Sequence, residues 1–271
     1  MSDPIPILDP SKAREPRGSC ALGVMIKAPQ AGAVKTRLVP PLEPCEAAAL
    51  NICFLRDTAA NIADVVSKKS ADGIAVYTPV GAEALFKGLL PEGFMLLAQR
   101  GDTFGERLSH AAEDLLSIGY RSLCLIDSDS PTLPPGVLAS AVDALERDGD
   151  RVVLGPADDG GYYLIGLKRP HRHLFTGIEW STPRVLSQTI ERAAETGLEV
   201  RLLPAWYDVD EAQSLGRLCY EIFSSSGYAA GRGDLKGYAA PHTRAYLGRL
   251  IERKGRELFG PSFAARMEVA D

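Results

Sequence analysis

Two aspartates that follow an apolar run are the residues best placed to do chemistry in this sequence. Residues 123–127 are predicted as a strand that ends at Asp127, and Asp129 follows two positions later. In an extended backbone, residues two apart lie on one face, so both carboxylates would face the same way. Paired carboxylate oxygens suit a hard cation such as Mg²⁺ or Mn²⁺, which in turn holds substrate phosphates. The alternative is an Asp-Ser-Asp turn, ended by Pro131, in which a carboxylate binds backbone N–H groups.

A loop with two cations follows the first predicted strand, residues 21–27. Lys27 ends that strand, and Lys35 and Arg37 lie two positions apart in the loop over residues 28–41. In open α/β sheets, ligands bind just beyond the carboxyl ends of the strands. Lysine offers a point charge and arginine a two-pronged donor, so we predict that Lys27, Lys35 and Arg37 bind phosphate. The alternative is a solvated basic loop.

The segment over residues 155–163 combines acidic residues with paired glycines. Gly160 and Gly161 would let the backbone approach a ligand closely, and we predict that both contact substrate. Asp158 and Asp159 are candidates to bind an acceptor hydroxyl and to act as its general base. A tight hairpin turn is the alternative, because Asp-Gly is a strong local signal for one, and both descriptions can hold together.

A second acidic pair follows the last predicted strand, residues 200–203. Asp208 and Asp210 repeat the i, i+2 spacing, and Asp210 would complete a metal site begun at Asp129. The alternative is that Asp210 simply caps the N-terminus of the next helix, residues 211–222.

Two further candidates lie near predicted helix starts. Arg107, in the helix over residues 104–118, would either reach a phosphate or pair with Glu106 or Asp102. Trp180 precedes a helix N-terminus, where an anion or a sugar could bind, and we predict that it contacts substrate. A buried tryptophan is the alternative.

Alternating strands and helices must position these residues. Apolar periodicity predicts strands at 21–27, 73–78, 94–98, 123–127, 152–155, 162–167 and 200–203. Helices are predicted at 43–66, 82–90, 104–118, 135–146, 182–196 and 211–222, with Thr182 as an N-cap and Pro183 as a first helical residue. This alternation predicts an α/β fold, in which helices flank both faces of a mostly parallel sheet.

The length of 271 residues fits one large α/β domain with additions at each end. We expect a flexible N-terminal arm over residues 1–20, the α/β domain over 21–222 and a helical C-terminal extension over 223–271. Loop-like segments at 224–227 and 231–233 open the extension. Its basic helix, residues 245–258, is predicted to pack on the domain or to form a homo-oligomer contact.

Charge and cysteine content narrow the class of protein. The net charge of −5 argues against a polynucleotide partner, which would need a basic stripe. Residues 1–17 lack the apolar segment of a secretory signal, and no run approaches the length of a membrane span. Five cysteines without a CxxC pair indicate reduced thiols and a cytoplasmic location. The G-x-x-x-x-G-K-[ST] and G-x-G-x-x-G motifs and a nucleophile elbow are all missing from the sequence.

Six motifs occur in the order of a known family. They are Lys35-Thr36-Arg37-Leu38, residues 101–108, Asp127-Ser128-Asp129-Ser130-Pro131, Asp159-Gly160-Gly161-Tyr162-Tyr163-Leu164, Trp180-Ser181-Thr182-Pro183 and Tyr207-Asp208-Val209-Asp210. As an ordered set over residues 21–220, they resemble the bacterial glycosyltransferase-A-like family within the nucleotide-diphospho-sugar transferase superfamily. The resemblance implies a Rossmann-like GT-A fold with a mixed sheet and a nucleotide site over its first half.

The resemblance also implies roles for individual residues. Lys35 and Arg37 match the loop that contacts phosphate, Asp129 matches the metal-binding acid, and Asp210 matches the late metal-binding acid. Asp127 is an additional candidate for the metal, although relatives often carry a small residue at its position.

The loop over residues 28–37 departs from one branch of the superfamily. It lacks the G-x-G-[ST]-R pattern of sugar nucleotidyltransferases, but it is similar to the glycine-poor Lys-x-Arg loop of phospholactate guanylyltransferases. We therefore expect a metal-dependent transferase that moves a glycosyl group from a nucleotide-sugar to a small-molecule acceptor. The alternatives are nucleotidyl transfer from a triphosphate and non-catalytic nucleotide binding.

Overall fold

A seven-stranded sheet forms the centre of the computed structural model, which describes residues 4–224 and 235–255. The strands are β1 (Cys20–Lys27), β2 (Ala71–Thr78), β3 (Met95–Ala98), β4 (Ser122–Ile126), β5 (Arg151–Pro156), β6 (Tyr162–Leu167) and β7 (Glu199–Leu202). Their order across the sheet is β3-β2-β1-β4-β6-β5-β7. Among them β6 alone is reversed, because it pairs antiparallel with both β4 and β5.

Helices cover both faces of the sheet. They are α1 (Pro44–Val66), α2 (Phe104–Ile118), α3 (Pro135–Glu146), α4 (Val185–Glu195), α5 (Ala212–Phe223) and α6 (Pro241–Lys254). Successive side chains of β1 enter opposite cores, as strand geometry requires. Leu22 packs in one core with Phe54 of α1, and Ala21 packs in the other with Leu115 of α2. The predicted α/β class and mostly parallel sheet are confirmed.

Two predicted helices differ from those in the structure. The segment 82–90 forms only one 3₁₀ turn, Glu83–Phe86, because Phe86 is anchored in the core while Gly88 turns the chain at φ 74°. Helix α4 begins at Val185 and not at Pro183. The hydroxyl of Thr182 accepts a 3.3 Å hydrogen bond from Arg184 N in a turn that precedes the helix.

The N-terminal arm contacts the sheet over part of its length. Leu8 is buried, and its N–H donates to the carbonyl oxygen of Leu96 at 2.7 Å. The N–H of Leu96 donates in turn to Pro6 at 2.8 Å, and Ile7 forms a parallel bridge with Leu96. The arm predicted to be flexible is therefore fixed along the edge strand β3 at residues 6–8.

The C-terminal extension packs on α1 through α6. The carboxylate of Asp57 accepts hydrogen bonds from the N–H groups of His242 (3.0 Å) and Thr243 (2.7 Å) at the start of α6. Helix α6 begins at Pro241, four residues before the predicted start. The predicted loop segments at 225–227 and 231–233, and the end of the basic helix after residue 255, lie outside the described residues.

The structure also describes the state of the cysteine thiols and the length and apolar character of the helices. All five cysteines are free thiols, and all except Cys45 are buried. Within residues 4–224 and 235–255, we find no helix that combines the length and the apolar character needed to cross a membrane.

The sheet brings the candidate residues to one edge. Strands β1, β4, β5 and β7 run in one direction, so their carboxyl ends lie together, and the reversed strand β6 begins at the same edge. The segments after β1, β4, β5 and β7 and the start of β6 are therefore neighbours.

Candidate functional site

A cleft of about 720 Å³ opens at this edge of the sheet. Its volume lies in the range of small-molecule sites. Among the described residues that line it are six aspartates, two from each segment after β4, β5 and β7: Asp127, Asp129, Asp158, Asp159, Asp208 and Asp210. The fold thus gathers three acidic pairs that are far apart in the sequence.

Lys35 joins two of these acidic pairs. Its ammonium lies 2.7 Å from Oδ1 of Asp129 and 2.7 Å from Oδ1 of Asp210, and it donates to the carbonyl oxygen of Val209 at 2.8 Å. The Lys35 side chain is only 4% exposed, whereas the two carboxylates are 30% and 40% exposed. We call Lys35, Asp129 and Asp210 the lysine cluster.

The loop after β1 brings Lys35 to this position. Lys35 adopts a left-handed conformation (φ 49°), and a 3₁₀ turn, Thr36–Leu38, follows with Leu38 buried in the core. The ammonium also lies 5.4 Å from the ring centroid of Phe54 in α1. Arg37, on the other side of the turn, is exposed and lines the cleft. The structure therefore places Arg37 on the cleft wall and the buried Lys35 ammonium behind it, against two carboxylates of the cleft.

Asp127 and Asp129 differ in their environments. Strand β4 ends at Ile126, so the alternation of an extended backbone does not carry through the pair. Oδ1 of Asp127 accepts hydrogen bonds from the N–H groups of Asp129 (2.9 Å) and Ser130 (3.1 Å). This is the turn considered as the alternative, and it leaves Asp129 facing Lys35. Asp127 still lines the cleft, but its Oδ1 is engaged by backbone.

Asp210 does not cap the following helix. The N-cap of α5 is Glu211, and Asp210 contributes only its N–H, which donates to the hydroxyl of Ser214 at 3.1 Å. Its carboxylate is directed to Lys35 instead, so the alternative of a capping role is not what the structure shows.

Charge pairing dominates the electrostatics of the lysine cluster. Burial alone would lower the pKa of Lys35, but the negative charges of Asp129 and Asp210 outweigh it and raise the pKa above its usual range. Burial favours the neutral form of Asp210, and the attraction of Lys35 overcomes this and lowers the pKa of that carboxyl. The lysine is thus a permanent cation held against an ionised carboxylate.

Two other carboxylates of the cleft, Asp127 and Asp208, lack enough positive charge around them. Burial raises the pKa of Asp127 well above its usual range, and the charge of Asp129 adds to the effect. Burial also raises the pKa of Asp208 to about 6, with further contributions from Asp159 and Asp210. A site whose acids repel one another in this way favours the binding of a cation.

The two aspartates after β5 have different partners. Oδ2 of Asp158 accepts from the Arg217 guanidinium at 2.7 Å, and that guanidinium lies 3.9 Å from the ring centroid of Tyr207. Asp159 accepts a 2.8 Å hydrogen bond from the N–H of Gly161, as in the hairpin turn considered above. An ion-paired carboxylate is a poor base, so of the two predicted candidates Asp159 is better suited to receive a proton.

Gly160 and Gly161 differ in their position relative to the cleft. Gly160 has φ 91°, and a Cβ on it would lie 2.2 Å from the carbonyl oxygen of Pro183, so glycine is needed there for packing. Gly160 is not among the residues that line the cleft, and its contact with substrate stays a prediction. Gly161 does line it.

Trp180 belongs to an aromatic group at the cleft. Its ring lies 5.2 Å from that of Phe104 and 6.4 Å from that of Tyr162, and both contacts are edge-on. All three side chains line the cleft, and we call them the aromatic cluster. Trp180 is only partly buried, so the alternative of a core tryptophan does not apply.

Lys27 and Arg107 do not reach the cleft. The Lys27 ammonium donates to the carbonyl oxygen of Ala33 at 3.0 Å and so braces its own loop. The Arg107 guanidinium donates to the carbonyl oxygens of Gly101 (3.2 Å) and Asp102 (3.3 Å) before α2. Neither lines the cleft in the structure, so the fold does not bring them together with the other candidates, and their binding of phosphate stays a prediction.

Among the residues that line the cleft and were given no role from the sequence are Asp208, Arg217 and Phe104. Asp208 was visible as the first acid of its motif, but only the second was assigned a role. Arg217 lies inside a helix, and no local pattern marks it. Phe104 is the first residue of α2 and is exposed. An aromatic residue at a predicted helix start was the one feature of the sequence that could have indicated a binding role.

The donor set suits a magnesium-type cation bound together with phosphate. Within residues 4–224 and 235–255, no three His, Cys, Asp or Glu side chains form a ready-made metal cage. Mg²⁺, however, is usually held by one or two carboxylates, with water and substrate phosphates completing its shell. Asp129 and Asp210 share a single ammonium and remain partly exposed, which meets that requirement.

Comparison with known proteins agrees with this fold. A family model described as "Uncharacterized protein conserved in bacteria (DUF2064)" matches residues 61–182. The structure of a protein from Desulfovibrio desulfuricans G20, provisionally described as a nucleotide-diphospho-sugar transferase, is 30% identical with a TM-score of 0.73. That match covers 89% of this chain and 98% of the other. Among curated proteins, none matches the chain.

More distant structures are also similar. CMP:2-keto-3-deoxy-manno-octonic acid synthetase complexed with CTP is 11% identical, covers 74% of this chain and 97% of its own, and has a TM-score of 0.47. A cytidylyltransferase from Leptospira borgpetersenii serovar Hardjo-bovis is 10% identical, covers 91% and 97% respectively, and has the same TM-score of 0.47.

Fold and cleft define an α/β protein of the Rossmann-like, nucleotide-diphospho-sugar transferase type. The extended match at 30% identity is specific enough to place the chain more closely. It belongs to the bacterial glycosyltransferase-A-like family within the nucleotide-diphospho-sugar transferase superfamily, as the sequence motifs predicted.

Proposed function

We propose that the protein is a metal-dependent transferase that moves a glycosyl group from a nucleotide-sugar to a small-molecule acceptor. The observation that carries this proposal is the lysine cluster, where a buried ammonium lies between two partly exposed carboxylates at the carboxyl edge of the sheet. Such a cluster offers one fixed cation and two oxygen ligands to the same phosphate group.

Each residue of the cluster has a part in this proposal. Asp129 and Asp210, with Asp127 as a further ligand, would hold Mg²⁺ or Mn²⁺. The bound ion supplies a positive charge that stabilises the leaving diphosphate. Lys35 and Arg37 would contact the same diphosphate and stabilise the charge that develops on it.

The acceptor would react from the side of the β5–β6 turn. Its hydroxyl oxygen bonds to the anomeric carbon while the bond from that carbon to the diphosphate oxygen breaks. The electron pair leaves with the nucleoside diphosphate, and the hydroxyl proton passes to Asp159. Asp158 would position the acceptor only through Arg217, to which it is paired.

Charge favours a diphosphate donor over a triphosphate. Of the described residues that line the cleft, seven are acidic and two, Arg37 and Arg217, are basic. Each added phosphate charge must be compensated in this acidic setting, so a glycosyl donor is easier to accommodate than a nucleoside triphosphate. Nucleotidyl transfer, which the glycine-poor loop left open, is thus the second candidate.

A thermal-shift screen of nucleotide-sugars, with and without Mn²⁺, tests the proposal. A ligand at a hundredfold excess over its Kd adds about 2.7 kcal/mol to the free energy of unfolding. We expect a shift that requires both ligand and metal and that Asp129→Asn abolishes. Asp64→Asn, at an exposed position of α1 outside the cleft, is the matched control and should keep the shift.

Product analysis then separates the alternatives. Release of nucleoside diphosphate from a nucleotide-sugar supports glycosyl transfer. Release of pyrophosphate from a triphosphate would replace it with nucleotidyl transfer. Metal-independent binding that Asp129→Asn leaves intact, without turnover, would identify a nucleotide-binding protein that is not an enzyme. A cytoplasmic location stays a prediction.

A further inference from the structure

Two aromatic side chains of the aromatic cluster are more exposed than packing alone would require. Phe104 is the first residue of α2 and is 49% exposed, and Trp180, its edge-on neighbour, is partly buried. Apolar surface left in water costs about 25 cal/mol per Å², so the fold does not gain from showing these rings to solvent. Both rings line the cleft.

The surrounding backbone fixes both rings in place. Thr103 and Glu106 form a capping box that sets the first residue of α2 and with it Phe104. A Cβ on Gly105 would lie 2.7 Å from Nε1 of Trp180, so the tryptophan packs against a position where only glycine fits. Ser181, which follows Trp180 and also lines the cleft, has φ 62°, an uncommon conformation for a residue other than glycine.

The aromatic cluster lies on the half of the sheet away from the phosphate loop. Tyr162 begins β6, which β4 separates from β1, the strand that carries the loop with Lys35. Four carboxylates line the same cleft as the rings: Asp158, Asp159, Asp208 and Glu211. Arg217 offsets one of these charges, so the surroundings stay negative.

We propose that Phe104 and Trp180 bind the apolar face of an uncharged sugar ring, and that the nearby carboxylates exclude phosphorylated or carboxylated acceptors. This inference rests on the proposed function, because it assigns the acceptor of that reaction. The C–H groups of a pyranose face carry slight positive charge and pack on the negative faces of aromatic rings. Its hydroxyls donate hydrogen bonds to carboxylate oxygens, whereas an anionic substituent would meet like charge.

Fluorescence of Trp180 offers a direct test. The chain has two tryptophans. Trp206 is buried and its Nε1 has no hydrogen-bond partner among the described residues, so Trp206→Phe should fold and leave Trp180 as the only emitter. This single-tryptophan protein is titrated with methyl glucoside, glucuronate and glucose 6-phosphate, each with and without Mn²⁺ and the nucleoside diphosphate of the best donor.

We expect methyl glucoside to change the emission, and the two anionic sugars to need at least tenfold higher concentrations. Phe104→Ala should raise the half-maximal concentration of methyl glucoside about threefold to tenfold. Gly105→Ala, which removes no aromatic group but displaces Trp180, should act in the same direction. Leu85→Ala changes an apolar residue that is 45% exposed outside the cleft, and it should have no effect. Phe104→Leu serves if the alanine variant fails to fold.

Three results would overturn the proposal. They are equal or tighter binding of the anionic sugars, no response to methyl glucoside at tens of millimolar, and a Phe104→Ala protein that behaves like Leu85→Ala. If the nucleotide alone saturates the signal, the rings bind the base and the assignment to an acceptor is wrong. The metal-dependent thermal shift of the same protein reports separately on donor binding, so failure of the acceptor subsite is distinguishable from failure of the proposed function.

Discussion

A single buried ammonium group holds the lysine cluster together. The Lys35 side chain lies against two carboxylates at once, and their negative charges offset the cost of burying its ammonium. In the absence of substrate it occupies the space between Asp129 and Asp210 that a cation would also favour. In the proposed function, the lysine would therefore compete with a metal ion for these oxygens and cooperate with it in binding phosphate.

This competition predicts an unusual response to Lys35→Met. Without the ammonium, Asp129 and Asp210 are free to bind a cation, so affinity for Mn²⁺ in the absence of nucleotide should rise. Transfer activity should fall about 10²- to 10³-fold, because a donor to the developing charge is lost. Calorimetry with Mn²⁺ and steady-state kinetics measure the two effects.

Lys27→Met is the matched control for this change. The Lys27 ammonium binds only a carbonyl oxygen of its own loop, away from the cleft, so both Mn²⁺ affinity and activity should stay near those of the unaltered protein. A Lys35→Met protein with weaker Mn²⁺ binding would contradict the competition.

The position of the acids could be predicted from the sequence, but their partners could not. Asp129 and Asp210 follow apolar runs, and this alone places them at a strand end. That Lys35 lies between them depends on the path of the loop after β1, on the pairing of β1 with β4 and on the pairing of β5 with β7, which no local pattern encodes. Arg217 lines the cleft only because α5 packs beside it, and no local pattern in the sequence indicates that packing.

At the scale of elements, ion pairs to one buried carboxylate of α1 hold α6 against that helix. Glu46 of α1 is 6% exposed and contacts Arg253 (2.6 Å) and Lys254 (2.7 Å). Burial raises the pKa of Glu46, but hydrogen bonds from the backbone of Glu43 and from Lys254 outweigh it, so the pKa is lowered overall. The ionised form is therefore favoured in the folded protein more than in the unfolded chain.

Glu46→Gln should lower the free energy of unfolding by about 1–2 kcal/mol at pH 7. Because the folded pKa lies below the unfolded one, this contribution is complete above about pH 4.3 and is lost as pH falls through the folded pKa. Urea unfolding of the two proteins at pH 7 and pH 3.5 measures the difference. Glu92→Gln, at an exposed position, controls for loss of charge alone. A difference that grows toward acid pH would refute the assignment.

Element types followed from periodicity, whereas element directions did not. Residues 162–167 form a strand, as predicted, but β6 runs against β4 and β5. Direction depends on pairing between distant segments, which a pattern of single residues cannot specify. The same limit explains the segment 82–90, where helical spacing is present but Phe86 packs in the core after a single turn.

For the whole molecule, negative charge is concentrated in the cleft where the proposed function places an anionic donor. The chain carries a net charge of −5, and seven of the described cleft residues are acidic against two arginines. Without a metal ion, approach of a diphosphate is opposed by this field.

Salt should therefore act in opposite directions with and without Mn²⁺. Between about 20 and 200 mM salt the Debye length falls from about 20 to about 7 Å, so repulsion across the cleft is screened. Metal-free binding of a nucleoside diphosphate should strengthen severalfold over this range, and Mn²⁺-supported binding should weaken. Calorimetry at each salt concentration gives the comparison, and the uncharged nucleoside is the control. Metal-free binding that weakens with salt would show that Arg37 and Arg217 dominate.

The reversed strand β6 is joined to β5 by a surface turn, and this turn borders the side of the cleft proposed to bind the acceptor. In the proposed function, donor contacts arise from the segments after β1, β4 and β7, whereas the β5–β6 turn and the segment that contains Trp180 border the acceptor side. A hairpin turn can gain or lose residues without a new crossover connection or a shift in strand register. Descendants of this chain can thus acquire new acceptors by revising a surface turn while an inherited donor site stays unaltered.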